Sequence, residues 1–315
     1  MLGADWSAYE SLVKETLCSD IDLLNKINGG LLANVGKQLR PIMSLLWARA
    51  CNGSCTPDSY HYAAAAELLH NATLIHDDIV DESQMRRGKP TIAALMGSSA
   101  AVLVGDFWLS AAVRQVVGTV HQIDAIRLYS RTLTDLAEGE MLQMEKAELA
   151  DTTEEDYLRI IFCKTASLFE SCCRSAALAV DASPELIESA GRYGKATGLA
   201  FQIRDDIFDY QDGNGIGKPV RQDLMERKIT LPMLGALRNS PDEARLRAMV
   251  REIPEHPEYC EQLYRFVHDA GGVEYAASRL NQFISEALEA LELLPPSAEK
   301  EMLAGLARYN AIRKL

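Results

Sequence analysis

Two acidic clusters with the same internal spacing stand out in this sequence of 315 residues, DDIVD at 77–81 and DDIFD at 205–209. Each cluster follows an apolar run that would be buried if it formed a helix. Because residues four apart share one face of a helix, Asp77 and Asp81 are expected to project together. Their carboxylates would repel each other unless a cation lay between them. One such cluster alone could equally be a solvated acidic helix end.

The repetition of this spacing favours metal binding over coincidence. Carboxylate oxygens suit Mg²⁺, which keeps one or two protein carboxylates and completes its coordination with water and substrate phosphates. We therefore expect the two acid sets to face one central cavity from opposite walls. The pattern predicts a magnesium site that a diphosphate completes.

Basic residues flank both acidic clusters. The stretch RRGKPT at 86–91 follows the first cluster and GKQLRP at 36–41 precedes it, while Lys218 and Lys228 follow the second. Guanidinium groups bind phosphate oxygens at two points, and lysine acts as a compact point charge. Any one basic pair could simply be an exposed surface. Around paired acidic clusters, the set as a whole indicates a diphosphate site.

Bulk composition limits the classes of function. With 48% hydrophobic and 24% charged residues, the chain has the material for a packed core. The formal net charge of −13 argues against a nucleic-acid partner, which requires clustered cations. Seven cysteines, an odd number without zinc spacing, are typical of reduced thiols and predict a cytoplasmic protein. We find neither a signal peptide nor a membrane-spanning run.

The elements that must position these residues are predicted to be helices throughout, because nearly every segment has the helical period. Helix starts are expected where a hydroxyl residue precedes a proline or acids. Breaks are expected at clusters of Gly, Pro and Asn. Length alone leaves one or two domains open, and we predict one all-α domain of about a dozen helices over residues 1–315. The predicted starts are Thr56, Thr152 or Thr153, Ser183, Ser240 and Ser297, and the predicted breaks are 28–30, 51–57, 86–90, 211–219 and 294–296.

The motifs together resemble those of one family, the trans-isoprenyl diphosphate synthases, and within it the medium- and long-chain polyprenyl diphosphate synthases. The resemblance implies the isoprenoid synthase fold, a single all-α domain around a deep central cavity, and a homodimer. The matching stretches are GKQLRP (36–41), LIHDDIVDESQMRRGKPT (74–91), GDFWLS (105–110), EGEMLQM (138–144), KTASLFE (164–170), GLAFQIRDDIFDYQ (198–211), GKPV (217–220) and KITLP (228–232).

The resemblance also implies roles for individual residues. Matching positions in the family bind metal, take part in catalysis or hold one of two diphosphates. The implied Mg²⁺ ligands are Asp77, Asp81 and Asp205; the implied catalytic set adds Arg86 and Lys164. The implied pocket for isopentenyl diphosphate comprises Lys37, Arg40, His70 and Arg87, and the implied contacts to the allylic diphosphate are Arg86, Lys164, Thr165, Gln202, Lys218 and Lys228.

The implied reaction joins an allylic diphosphate to isopentenyl diphosphate head to tail, in the trans configuration. The allylic partner could be a dimethylallyl, geranyl, farnesyl or geranylgeranyl diphosphate. Three positions depart from the family pattern. Val35 stands where a second glycine is common, and Arg221 and Arg227 occupy positions where relatives usually or often carry glycine. These departures concern the two basic segments rather than the acidic clusters.

The length of the product is expected to depend on residues below Asp77 on the same helix. In the family, a bulky aromatic residue one turn below the first aspartate stops growth early, whereas this chain carries Ala72 and Thr73 there and Leu69 a turn further down. Each helical turn deepens the tunnel by roughly 5.4 Å, about the length added per isoprene unit. A geranylgeranyl or longer product is therefore predicted, unless Ala72 only packs against a neighbouring helix.

Three other classes of protein share part of this pattern. A class I terpene cyclase has no second acidic cluster of this type. This chain has one at residues 205–209, which argues against a cyclase. An HD-type phosphohydrolase could use His76 and Asp77 but requires further histidine ligands, and the other histidines are scattered. A non-catalytic or regulatory subunit of a heteromeric synthase remains as the alternative, although such subunits tend to lose acidic motifs.

Overall fold

The computed structural model describes residues 2–211, 221–238 and 240–312. It is 76% helical with almost no strand, as predicted from the helical period. In the described part, no helix is long and apolar enough to cross a membrane. The chain divides into two compact units, Met1–Ser130 with Ser171–Ala190 and Leu294–Leu303, and Arg131–Glu170 with Gly191–Leu293 and Ala304–Leu315. The single domain stays a prediction.

The elements are numbered in chain order. Those that begin before residue 120 are α1 (Gly3–Thr16), α2 (Asp22–Leu32), α3 (Leu39–Asn52), α4 (Pro57–Val80), β1 (Met85–Arg86), β2 (Lys89–Pro90), α5 (Ile92–Met96) and α6 (Ser98–Val116). The later helices are α7 (Gln122–Leu149), α8 (Glu154–Ile161), α9 (Ser167–Leu178), α10 (Pro184–Phe208), α11 (Gln222–Met225), α12 (Leu231–Leu237), α13 (Glu243–Arg251), α14 (Tyr259–Asp269), α15 (Gly272–Ala290) and α16 (Ala298–Ile312). A π-helical turn, Phe162–Ala166, joins α8 to α9.

Helix α4 is the central helix of the first unit. It packs along α6 and against α3 and α1. Four consecutive alanines at 63–66 are fully or almost fully buried, so the neighbouring helices can approach its backbone closely. From α3, Trp47 is completely buried. This packing fixes the axis of α4, whose C-terminal end carries the first acidic cluster.

Most of the predicted helix starts are confirmed. Thr56 forms a capping box with Ser59 at the start of α4, and Thr153 forms one with Asp156 at the start of α8. The hydroxyl of Ser183 accepts a hydrogen bond from the Leu186 amide, and that of Ser297 accepts one from the Lys300 amide. These side chains satisfy backbone donors that the first helical turn leaves without a carbonyl partner.

Two local predictions were wrong. The predicted break at Asn28-Gly29-Gly30 does not occur, because Asn28 is buried: its amide donates to the Leu17 carbonyl at 2.8 Å and accepts from the Trp108 indole at 2.9 Å. These tertiary contacts keep α2 helical through the glycines. At Ser240, the hydroxyl accepts from the Asp242 amide at 3.2 Å and forms a local turn, so α13 begins only at Glu243.

The second unit has a core built by α8, α10 and α12–α15, in which α12 packs on α15 and α14. Two glycines allow close approaches that bring the site residues together. A Cβ on Gly198 of α10 would lie 2.6 Å from the Ala166 Cα. A Cβ on Gly139 of α7 would lie 2.6 Å from the Cys163 Cβ. The π-helical turn is therefore held tightly against α7 and α10.

Candidate active site

The first acidic cluster lies where α4 ends. Asp77 is in the last turn and Asp81 is the residue that follows the helix, its amide bonded to the Asp77 carbonyl at 2.8 Å. Both carboxylates therefore sit at the negative end of the helix dipole, where an anion is disfavoured and a cation is favoured. This donor chemistry fits a divalent ion. Among the described residues, no group of three or more His, Cys, Asp or Glu side chains could hold a metal by itself.

Asp78 differs from its two neighbours in the motif, because its side chain is directed into the protein. It is 9% exposed, and its Oδ1 accepts a hydrogen bond from the Arg86 Nε at 2.6 Å. Sequence reasoning placed Asp78 only at the flank of the acidic face. Its partner lies eight residues on in a hairpin, and no spacing rule would have predicted the pair.

The hairpin β1–β2 presents the two arginines of the RRG motif. Its two central residues, Arg87 and Gly88, have φ values of +50° and +75°, as a tight two-residue turn requires. The Arg87 Nη1 donates to the Asn34 carbonyl at 3.0 Å. A Cβ added to Gly36 would lie 2.7 Å from the Arg87 Nη2. The glycine of the first basic motif thus makes room for the second arginine of the RRG motif.

A cluster of cations surrounds His70 on α4. Burial lowers the pKa of His70 well below its ordinary value, and Arg40, Arg87 and Arg86 lower it further. The ring is therefore neutral at pH 7. The structure brings His70 and these three arginines close together. Arg40 and Arg87 belong with His70 to the pocket predicted for isopentenyl diphosphate, whereas Arg86 is predicted to contact the allylic diphosphate. Lys37 of the same predicted pocket is exposed in the segment before α3.

Two residues that sequence reasoning missed support this cluster. Burial on α4 raises the pKa of the Glu67 carboxyl, and the positive charge of Arg40 lowers it. The Asn71 amide donates to the Glu67 carboxylate at 3.2 Å. Glu67, His70 and Asn71 have the i, i+3, i+4 spacing of one helix face, which was the available signal. Glu67 supplies the negative charge that stabilises the half-buried Arg40.

The second acidic cluster spans the end of α10, and its three aspartates have different environments. Asp206 is buried and accepts hydrogen bonds from the Tyr157 hydroxyl at 2.6 Å and the Gln202 amide at 2.9 Å. Burial raises the pKa of Asp206 to about 6. Asp209 accepts the backbone amides of residues 222 and 223 at 3.0 and 3.1 Å. Asp205 is half-buried and is the aspartate that the family motif assigns to metal.

The π-helical turn supplies the next predicted residues. Lys164 forms an ion pair with Glu140 and donates to the Gln143 amide oxygen at 3.0 Å. The Thr165 hydroxyl donates to the Gln202 amide oxygen at 2.9 Å. Gln202 in turn donates to Asp206, so Thr165 and Gln202 belong to one hydrogen-bonded network, while Lys164 is held separately by Glu140 and Gln143. Lys164, Gln202 and Lys228 line a cavity of about 200 Å³ in the second unit.

The segment after the second cluster contains two of the three departures from the family pattern. Arg221 and Arg227, at positions where relatives usually or often carry glycine, have φ values of +76° and +58°. This left-handed conformation costs a residue with a Cβ about 1 kcal/mol or more. The Arg221 guanidinium lies 4.3 Å from the centre of the Tyr264 ring and pairs with Glu261, contacts that offset the cost. Lys218 lies outside the described residues.

Comparisons with known proteins agree with this geometry. A family model described as polyprenyl synthetase matches residues 21–267. An all-trans-nonaprenyl-diphosphate synthase (geranyl-diphosphate specific) of Rhodobacter capsulatus is 38% identical over 308 residues, covering 98% of this chain and 94% of the relative. The crystal structure of a decaprenyl diphosphate synthase from the same organism superimposes with a TM-score of 0.92 at 33% identity, covering 99% of this chain and 96% of the other.

A third relative is a solved complex. The crystal structure of a polyprenyl synthase from Caulobacter crescentus, complexed with calcium and isoprenyl diphosphate, has a TM-score of 0.89 and 32% identity, covering 100% of this chain and 96% of the other. Since the family model matches most of the chain and these similarities span nearly all of it, the expected fold is confirmed. The chain belongs to the polyprenyl synthetase family, the trans-isoprenyl diphosphate synthases, and is a prenyltransferase with the all-α isoprenoid synthase fold.

Proposed function

We propose that this prenyltransferase condenses an allylic diphosphate with isopentenyl diphosphate in the presence of Mg²⁺, and that its product is geranylgeranyl diphosphate or longer. The observation that carries the proposal is the arrangement at the end of α4. Two carboxylates lie at the negative end of the helix dipole, and three arginines and a neutral histidine gather beside that helix. Such a site suits a metal-bound diphosphate and a second anion.

Asp77, Asp81 and Asp205 would hold Mg²⁺. When bound, the ions neutralise the negative charge that develops on the departing diphosphate. The family motif assigns the metal-ligand role in the second cluster to Asp205, which is half-buried at the end of α10. The relative crystallised with calcium and isoprenyl diphosphate supports a divalent ion together with a diphosphate in this family.

Isopentenyl diphosphate would bind at Lys37, Arg40, His70 and Arg87. The two guanidinium groups can each contact two phosphate oxygens. His70 is neutral, so it can donate one ring N–H without adding a charge. Glu67 keeps Arg40 in place, and the Asn34 carbonyl and Gly36 keep Arg87 in place.

The allylic diphosphate would bind at Arg86, Lys164, Thr165, Gln202, Lys218 and Lys228. Asp78 orients Arg86 through the 2.6 Å hydrogen bond. Glu140 and Gln143 orient Lys164, and the hydrogen-bonded network from Tyr157 to Thr165 holds Gln202. With both substrates held, the double bond of isopentenyl diphosphate attacks the allylic carbon, the carbon–oxygen bond breaks, and loss of a proton completes the new isoprene unit.

The length of the product would depend on Ala72, Thr73 and Leu69 below the first acidic cluster. Ala72 and Leu69 are 1% and 2% exposed, so a larger side chain at Ala72 would have to displace a neighbour or fill a tunnel. The relatives named nonaprenyl and decaprenyl diphosphate synthase support a product longer than farnesyl.

The working form would be a cytoplasmic homodimer. Helix α6 and the segment after it expose apolar side chains, Val102, Leu103, Val113, Val117 and Val120, which a second copy could cover. The seven thiols are consistent with a reducing compartment.

The test is incubation of the purified protein with labelled isopentenyl diphosphate, Mg²⁺ and each of the four primers, followed by chromatographic sizing of the products. We expect Mg²⁺-dependent incorporation into chains of twenty carbons or more, and loss of incorporation in Asp77→Asn. The absence of incorporation with every primer would contradict the proposal and favour the non-catalytic subunit.

A further inference from the structure

The first unit contains a cavity of about 530 Å³ beside the first acidic cluster but on a different face of α4. On α4 it is lined by Asn71, Leu74, Ile75 and Asp78, which share one face at i, i+3, i+4 and i+7. Asp78 is turned about 100° around the helix from Asp77. Asp77, Asp81, Arg40 and His70 are not among the lining residues.

The walls of this cavity are apolar. Ile27 and Leu31 come from α2, Leu74 from α4, and Ile92 and Leu95 from α5. Leu95 is 68% exposed, so the cavity opens to solvent beside it. The volume lies in the range of about 300–1,000 Å³ that ligand pockets commonly have. A short branched hydrocarbon would fit such walls.

The cavity also has a cationic side. Lys26, Arg86, Arg87 and Lys89 line it, and the one carboxylate that does so, Asp78, is already paired with Arg86. The whole chain carries a net charge of −13, so this local excess of positive charge contrasts with its surroundings. Cations concentrated on one side of an apolar cavity complement an anionic head group attached to an apolar tail.

We propose that this cavity is a second binding site, independent of metal, for a short-chain prenyl diphosphate such as one with a geranyl tail. The tail lies against α2, α4 and α5, and the diphosphate contacts Lys26 and Lys89 together with Arg86 and Arg87. If the roles proposed above for Arg86 and Arg87 hold, a molecule in this site competes for both arginines. Excess primer then inhibits the enzyme.

Binding without metal separates this site from the acidic one. Geranyl S-thiolodiphosphate, a non-reactive analogue, is titrated into the protein in EDTA by calorimetry. The unmodified protein is expected to bind it saturably. Ile27→Trp, which fills the cavity, and Lys26→Glu, which reverses a charge beside it, are each expected to weaken binding about tenfold. The matched controls are Ile123→Trp and Lys14→Glu, exposed residues of the same unit outside the cavity, and they should bind as the unmodified protein does.

Three results would overturn the inference: no saturable binding in EDTA, binding by both cavity variants equal to that of the unmodified protein, or equal weakening in the controls. Lys26 is exposed, so Lys26→Glu remains informative if Ile27→Trp fails to fold. Incorporation of isopentenyl diphosphate with Mg²⁺ and low primer is measured in parallel. Incorporation without metal-free binding refutes only the second site, whereas binding without incorporation refutes only the proposed function.

Discussion

The pairing of Asp78 with Arg86 leads to a prediction that separates positioning from metal binding within one motif. Asp78→Asn preserves the shape of the side chain and removes its charge. The Arg86 Nε can still donate to the amide oxygen, so the contact is weakened rather than lost. The three aspartates of this cluster should therefore respond differently to the same substitution.

The size of the effect follows from the contact. Asp78→Asn keeps the charged guanidinium donor and replaces the charged acceptor by a neutral amide, so it removes the ion-pair part of a contact that contributes about 1.5–3 kcal/mol, a loss of about 1–1.5 kcal/mol. Arg86 is 37% exposed, which places the value towards the lower end. A loss of this size corresponds to about a five- to tenfold decrease in kcat/KM for the allylic primer.

The assay measures incorporation of isopentenyl diphosphate while primer and Mg²⁺ are varied separately. Asp78→Asn should lower kcat/KM for the primer and leave the half-saturating Mg²⁺ concentration unchanged. Asp77→Asn should raise the Mg²⁺ requirement. Glu82→Gln, the same change at an exposed acid beside the motif, is the matched control. A shift in the Mg²⁺ requirement of Asp78→Asn equal to that of Asp77→Asn would refute the distinction, as would unchanged kinetics.

Three further predictions concern the product, the isopentenyl pocket and pH. Ala72→Phe should shorten the products as seen by chromatography, and an unchanged distribution would refute the floor assignment. Gly36→Ala should raise the KM for isopentenyl diphosphate several-fold, because the added Cβ would lie 2.7 Å from the Arg87 guanidinium. Gly29→Ala is the control, since a Cβ at Gly29 would meet no atom within 4 Å, and it should leave this KM unchanged. Burial raises the pKa of Asp206 from 3.8 to about 6. Between these two pH values the folded state binds more protons than the unfolded state. The free energy of unfolding therefore falls as the pH rises from about 4 to about 6. Asp206→Asn should therefore reduce that fall by roughly 1–3 kcal/mol in denaturant titrations in EDTA, and an identical pH profile for the variant would contradict the assignment.

Local chemistry predicted much of the helical framework. Thr56 and Thr153 were predicted as helix caps because a hydroxyl satisfies amides only a few residues away, and both form capping boxes. The two exceptions are informative. Asn28 keeps α2 intact through contacts with Leu17 and with Trp108, eighty residues away, which no local pattern contains. Ser240 uses its hydroxyl for a turn instead of a cap, so α13 starts later than expected.

In the candidate site too, some features could be predicted from local sequence and others depend on the fold. Paired acidic clusters and flanking cations could be recognised from residue type and spacing, and the structure gathers Arg40, His70, Arg86 and Arg87 in one unit. Glu67 was not identified from the sequence, because no local pattern indicates which residue an acid in an apolar helix will pair with. Only the fold brings Arg40 close to it. Whether both acidic clusters face one cavity stays a prediction.

By itself, the sequence determined the helical class, the caps and the identity of the chemical groups, because these depend on a residue and its near neighbours. Only the tertiary structure decided the partners and the burial of Asp78, Asp206 and His70. It turned Asp78 towards Arg86, buried Asp206 under Tyr157, and kept His70 neutral among arginines. Burial and long-range charge set these outcomes, and both are properties of the packed chain rather than of any segment of it.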